Sequence, residues 1–341
     1  MIRFELLLNR SQTALASDFR SALEGPALTL RTQISAALCA VACACVTGAC
    51  ESRQELMRQA EERAKYWGYP APRVVHDLIY AEYGRRRLEL DVYQPPKSDQ
   101  PDAVPGIIVV RGGAWREGDK VFFGYIAGRL AMAGFVAASI EYRTSDEAKF
   151  PAAVEDVKAA VRWMRAHAVE YGVNPETIGA IGGSAGAHLV TMLATSAGTM
   201  ELEGAGGNST TSSDVQAVVA MACGCNLQWK EGVGPEFIGA VTGFIGAPLE
   251  ARAEVIAAAS PVTYVSRRSA PLLLLHSRSD PDVPFGQSVE MELRYRSVGA
   301  PVTLKAIEAP GVHAFWADQR YFPETLRLAV EFFRRNLKVA K

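Results

Sequence analysis

The chain has almost no excess charge of either sign: 36 Lys and Arg stand against 37 Asp and Glu, for a formal net charge of −1. Without a basic surplus there is no bulk electrostatic reason to seek nucleic acid or an anionic membrane, and no run of like charge is long enough to form an interaction tail. Compositional bias is absent too. With 49% hydrophobic, 21% charged and 9% aromatic residues in 341, disordered, collagen-like and disulfide-scaffold classes are excluded. There is no fixed-period repeat. Cysteine is scarce beyond the start of the chain: of six, Cys39, Cys43, Cys45 and Cys50 fall in the first fifty residues, leaving Cys223 and Cys225. No second Cys/His pair completes a zinc site, so no metal is expected. Two cysteines separated only by Gly224 are too tight for an ordinary disulfide, and packing is their expected role. Small neutral substrates are the default.

Residues 1–50 form a signal-like N-terminal segment. Thr32 to Cys50 carries no charge, Arg31 precedes it, and it ends in small residues, the order of an export signal. It is too short and weakly apolar for a secure membrane span, which needs about 20 mostly apolar residues. The segment before Arg31 is long for a leader and contains Glu5, Asp18 and Glu24; a buried Ala-rich helix is the competing reading. Export is the expectation, with cytoplasmic residence as the alternative. Thr47-Gly48-Ala49-Cys50 loosely resembles a lipobox, which makes Cys50 a candidate lipid anchor.

Residues 51–341 read as one α/β domain. Glu51 to Trp67 is expected as a polar helix, and Val74 to Tyr80 with Leu88 to Gln94 as an antiparallel edge hairpin closed by Pro95-Pro96. Six apolar runs of strand length follow: Gly106 to Arg111, Phe135 to Tyr142, Thr177 to Gly182, Val215 to Ala222, Leu272 to His276 and Val302 to Ile307. Their apolarity predicts burial on both faces. Helical stretches between them, Val121 to Ala133, Pro151 to Glu170, Ala185 to Ser196, Phe285 to Val298 and Glu324 to Lys338, predict a mostly parallel twisted sheet wrapped on both faces. A polar loop, Glu201 to Ser213, and a cap-like insertion, residues 226–260, interrupt the alternation.

Gly182-Gly183-Ser184-Ala185-Gly186 lies between the run TIGAI and the helical run AHLVTMLA. The bare GxSxG pattern is weak, but a Ser on a sharp turn from buried strand to helix is a nucleophile elbow, whose strained backbone the flanking glycines allow. The Ala185 amide at the helix start is free to face an oxyanion. A phosphate-binding turn or an N-cap Ser is the alternative; the glycine spacing matches neither GxGxxG nor the P-loop, and no cofactor is implied.

From Ile107 to His313 the chain resembles the α/β-hydrolase superfamily, in particular its acetyl esterase, hormone-sensitive-lipase-like and bacterial feruloyl-esterase-like branch. The resemblance rests on RGGAW at Arg111 to Trp115, EYR at Glu141 to Arg143, FPAAVEDVKAAVRWMRAHAVEYGVNPETIGAIGGSAGAHL, ASPVTYV from Ala259, HSRSDPDVPFGQS from His276 and PGVHAF from Pro310. It implies the α/β-hydrolase fold and a Ser-His-Asp mechanism. His313, between the last strand and the last helix, is where this fold's order of Ser, Asp, His places the base. His76 and His167 are expected to be structural, His188 to be core or surface, and His276 to cap the loop after its strand. The family pattern H-G-x-x-D-x-x-V-P selects Asp280 as the acid, with Asp282 as a turn residue that could replace it; Ser277 stands where the family has Gly.

RGGAW matches the family's HGGxW, so the resemblance implies an oxyanion hole from the amides of Gly113 and Ala114 with that of Ala185. Arg111 replaces the usual His: it either braces the loop, with Glu141 as a candidate partner, or adds positive potential for the oxyanion or an acidic substrate. Trp115 is either core packing or a substrate-binding wall of the acyl pocket. The expected enzyme is a serine carboxylesterase for short acyl or aryl esters, including acetyl or feruloyl groups on plant glycans, with a small-molecule or glycan-linked ester as partner. Rival readings are an arylformamidase-like amidase or peptidase, and a non-catalytic binding protein on the same scaffold.

Overall fold

The computed structural model describes residues 72–96, 103–229, 231–248 and 252–338. The expected signal-like segment and the helix over 51–67 lie outside them. Among the described residues, strands β1 (Arg73–Tyr83), β2 (Arg86–Gln94), β3 (Val104–Val110), β4 (Val136–Ile140), β5 (Val173–Gly183), β6 (Ala217–Met221), β7 (Leu272–Ser277) and β8 (Val302–Ile307) form a single sheet. Its order is β1-β2-β4-β3-β5-β6-β7-β8. The β1–β2 hairpin is antiparallel and joins β4 antiparallel, and every pairing from β4 to β8 is parallel. This is the α/β-hydrolase architecture.

Helices α1 (Gly124–Met132), α2 (Ala152–Ala166), α3 (Ala185–Thr195), α4 (Pro235–Ile245), α5 (Ala253–Ala258), α6 (Gly286–Val298) and α7 (Phe322–Asn336) follow the strands or belong to residues 226–260. Two cores result from the period-2 alternation of the strands. Ile108 and Val110 of β3 join a core with residues of α2, α3 and α6, while Ile107 and Val109 join another with residues of α1 and α7. The central strands are therefore apolar on both faces. β8 departs from that expectation: at the edge of the sheet formed by the described residues, it buries fully only Ile307, and its Thr303 and Lys305 are exposed.

A second departure concerns Cys223 and Cys225. Both are buried and joined in a disulfide with their Cα atoms 5.3 Å apart, a span that the bend through Gly224 brings within disulfide range. Among the described residues no helix is long and apolar enough to cross a membrane.

Register decides where chemistry can assemble. Val110 pairs with Gly182, Gly183 with Met221, and Met221 with Leu275, so the C-terminal ends of β3, β5, β6 and β7 reach one rim together. The loops leaving that rim carry Gly112 to Trp115, Ser184 and Asp280. This is the edge at which open parallel sheets form ligand sites.

Candidate active site

Ser184 sits between β5 and α3 with φ 55° and ψ −121°, a conformation disfavoured for any residue with a Cβ. Two backbone hydrogen bonds hold it: its N–H donates to the Met221 carbonyl at 2.8 Å, and its own carbonyl accepts from His188 N–H at 3.0 Å. Glycine on either side is a packing requirement. A Cβ on Gly182 would overlap the Gly186 carbonyl, and one on Gly186 would overlap the carbonyls of Val110 and Arg111. The elbow is thus compressed between β3 and its own helix, and the hydroxyl projects out of the sheet.

His313 reaches that hydroxyl. Its Nε2 is 2.9 Å from Ser184 Oγ, and its Nδ1 is 2.8 and 3.0 Å from the two oxygens of Asp280. An ionised carboxylate only accepts, so Nδ1 carries the proton and Nε2 is left to accept from Ser184. Burial works to raise the Asp280 pKa. Hydrogen bonds from His276 and His313, the charge of His313 and the Val283 amide outweigh it and hold the carboxyl well below the usual carboxylate range. Asp280 Oδ1 also accepts the backbone N–H groups of Asp282 and Val283, both at 2.9 Å. Between the two candidate acids the structure distinguishes plainly: Asp282 is exposed and contributes its amide, while Asp280 faces the imidazole.

The loops that carry Asp280 and His313 are tied at two further points. Ser277 Oγ donates to the Ala309 carbonyl at 2.6 Å, and Ser279 Oγ accepts from Gly311 N–H at 3.0 Å. Ser277 occupies the position where the resembled pattern has Gly, so this departure adds a strut between β7 and the loop leading to His313.

Opposite the imidazole, the loop after β3 runs through three successive positive φ values, 109° at Gly113, 51° at Ala114 and 58° at Trp115. Gly112 lies against the elbow, where a Cβ would sit 2.9 Å from the Gly183 carbonyl and 3.2 Å from Ser184 Cβ. The Gly113 carbonyl accepts from Arg116 and Glu117 N–H at 2.9 and 3.0 Å, curling the loop. Among the described residues the amides of Gly113, Ala114 and Ala185 have no protein acceptor.

Arg111 is buried, and the expected Glu141 partner is not its partner. Glu141 instead pairs with Arg86 at 3.2 Å, because β2 presents that arginine on the same side. Arg111 Nη1 donates to the carbonyls of Gly112 (3.0 Å) and Glu117 and to Tyr142 Oη (3.1 Å), while the guanidinium lies 4.1 Å from the Tyr142 ring centroid. That is a brace, and the guanidinium is too enclosed to touch a substrate.

Of the two roles expected for Trp115, the structure gives it packing: the ring is 3% exposed, stacked on Phe244 of α4 at 4.8 Å. Its Nε1–H donates to His188 Nδ1 at 3.2 Å, and His188 Nε2 lies 2.7 Å from the Ala259 carbonyl, so that nitrogen bears the hydrogen. Burial lowers the His188 pKa from 6.5 to about 4, partly offset by the bond to Ala259. The sequence marked His188 only as core or surface; its spacing of one turn from Ser184 was the available signal. His76 and His167 serve structural contacts, with Asp91 and with the Trp163 carbonyl respectively. Among the described residues no group of three His, Cys, Asp or Glu is placed to hold a metal ion.

Known proteins resemble this chain in sequence and in fold. Residues 90–295, more than half of the chain, match the family model described as BD-FAE. Esterase LipQ of Mycobacterium tuberculosis is 32% identical over 242 residues, covering 70% of this chain and 56% of its own length. Esterase LipC of the same organism is 30% identical over 275 residues, covering 75% and 66%. The chain thus spans roughly half to two thirds of these relatives. Among solved structures, a truncated carbohydrate esterase from gut microbiota superposes with a TM-score of 0.68 at 27% identity, covering 77% of this chain and 97% of that one. Esterase 2 of Thermogutta terrifontis phosphorylated by paraoxon gives 0.65 at 26% identity, covering 80% and 97%.

Proposed function

The chain belongs to the BD-FAE family, and from that premise we propose that it is a carboxylic ester hydrolase working through an acyl-enzyme. The observation that carries the reading is the continuous chain Ser184 Oγ to His313 Nε2, His313 Nδ1 to Asp280. Ser184 attacks the ester carbonyl as its proton passes to His313 Nε2. Asp280, ionised, stabilises the imidazolium and keeps its tautomer. The developing alkoxide takes hydrogen bonds from the amides of Gly113, Ala114 and Ala185, which are worth most in the transition state. His313 then protonates the leaving alcohol. Water, deprotonated by the same nitrogen, releases the acid and restores Ser184. Trp115 and Arg111 act from behind, holding the loop in its left-handed course.

Esterase relatives and the carbohydrate esterase neighbour support an ester on a small molecule or glycan, with acetyl and feruloyl groups as the narrower proposal. The cap-like reading of residues 226–260 is supported by two contacts with the loop and helix that frame the site: Phe244 of α4 stacks on Trp115, and the Ala259 carbonyl accepts from His188. The order of charge and apolarity in residues 1–50 supports export, which mass spectrometry of the mature N-terminus tests. The decisive experiment is labelling by paraoxon or a fluorophosphonate. One phosphyl group per chain is expected on Ser184, lost in Ser184→Ala together with hydrolysis of p-nitrophenyl acetate. A folded wild-type chain that takes up no label refutes the mechanism.

A further inference from the structure

His276 ends β7, fully buried, four residues before Asp280, and a hydrolytic cycle run by Ser184, His313 and Asp280 leaves it without a task. Its surroundings give it one. Its Nε2 lies 3.0 Å from the Val283 carbonyl and 3.3 Å from Asp280 Oδ2. A carbonyl oxygen only accepts, so Nε2 bears a hydrogen, shared between that carbonyl and the carboxylate. On the far side Nδ1 is 2.7 Å from Ser288 Oγ of α6, whose hydroxyl donates to the ring in its neutral form. Phe285 packs edge-on against the ring at 5.6 Å. Tautomer, plane and position are therefore set by groups on β7, α6 and the loop between them.

We propose that His276 is a positioning residue for the acid of the triad, a fixed N–H donor that holds Asp280 Oδ2 in line with His313 Nδ1. The inference rests on the triad reading above. The two imidazoles face the carboxylate from different elements, His276 from β7 and His313 from the loop after β8, and among the described residues they are the titratable side chains that do so. Oδ1 is already held by the amides of Asp282 and Val283. Oδ2 is the oxygen nearer His313, and apart from His313 itself the side chain that holds it is His276. Without that donor the carboxylate can rotate about its terminal bond, which is a broad torsion. It also carries less compensated charge, and so grips the imidazolium proton more tightly.

The test compares three variants on p-nitrophenyl acetate, with paraoxon titration counting competent sites. His276→Leu removes the donor. His276→Gln restores an N–H where Nε2 stood. His276→Asn places its amide toward Ser288 and leaves Asp280 unserved, and so replaces His276→Leu should that variant fail to fold. Expected for the Leu and Asn variants is a fall in kcat of about 10- to 100-fold, the scale of one hydrogen bond to a charged group, at unchanged KM. The acid limb of kcat/KM should move upward by roughly half a pH unit or more. His276→Gln should recover most of the rate and return the acid limb. Equal losses in the Gln and Leu or Asn variants, or an acid limb that stays put in every variant, would overturn the assignment and leave His276 as packing. A wild-type chain that neither turns over ester nor takes up paraoxon would instead overturn the triad reading beneath it.

Discussion

Replacing Arg111 by Met separates bracing from charge. In the folded protein one guanidinium nitrogen serves the Gly112 and Glu117 carbonyls and the Tyr142 hydroxyl, and no carboxylate among the described residues pairs with it. Met keeps much of the side-chain volume and removes every donor. Each orphaned carbonyl costs about 1–3 kcal/mol. Relief of a buried cation without an ion pair returns several kcal/mol, so stability should change less than either figure suggests. Activity should not be so forgiving. The Gly113 and Ala114 amides are aimed by the curl that this guanidinium closes, and loss of one oxyanion donor costs about 10²- to 10³-fold in kcat, some 2.7–4 kcal/mol. Steady-state kinetics of Arg111→Met on neutral and anionic p-nitrophenyl esters should show kcat lowered about 100-fold for both, with KM within about threefold. Arg111→His, with a shorter reach and a single donor for this side, should fall between. A folded Arg111→Met enzyme with kcat within twofold of wild type refutes the brace, and a loss confined to anionic esters would make the guanidinium a source of potential.

Asp280→Asn should lower kcat by about 10⁴-fold while KM holds, because an amide donating to His313 Nδ1 favours the wrong tautomer; single-turnover acylation measures it. Ser277→Gly restores the resembled pattern but deletes the bond to Ala309, so a loss of about 1 kcal/mol in unfolding free energy and a modest fall in kcat are expected from denaturant titration and kinetics. His188, whose pKa is lowered to about 4, makes stability depend on pH: the unfolded chain takes up the proton first, so stability is full above about pH 6.5 and falls as pH drops toward 4. The loss should approach about 3 kcal/mol, and melting of His188→Gln across that window should lack the slope.

Much of this site was legible before any coordinates. Ser184 announced itself through glycines that are steric necessities at an elbow. Asp280 and His313 were singled out by the motifs and order of the resembled family, and the structure places them within hydrogen-bond reach of each other. The sequence was misleading where a residue's partner lies across the sheet. Glu141, on the strand next to β3, seemed the natural mate of Arg111, yet β2 supplies Arg86 to it. Cys223 and Cys225 looked too close to bond, but a bend through Gly224 sets their Cα atoms 5.3 Å apart. The Val302 to Ile307 run read as a doubly buried strand and proved to be an edge.

Period and turn chemistry were enough for a parallel α/β sheet and for the sharp turn that carries Ser184, because each depends on neighbours within a few residues along the chain, whereas the reading of Asp280 and His313 came from the resemblance. Only the tertiary structure decided that Arg111 binds carbonyls, that Ser277 straps one loop to another, and that His276 and His188 stand behind Asp280 and Trp115. Those are pairings between segments remote in sequence. Their partners are selected by strand order and register, which no local pattern encodes.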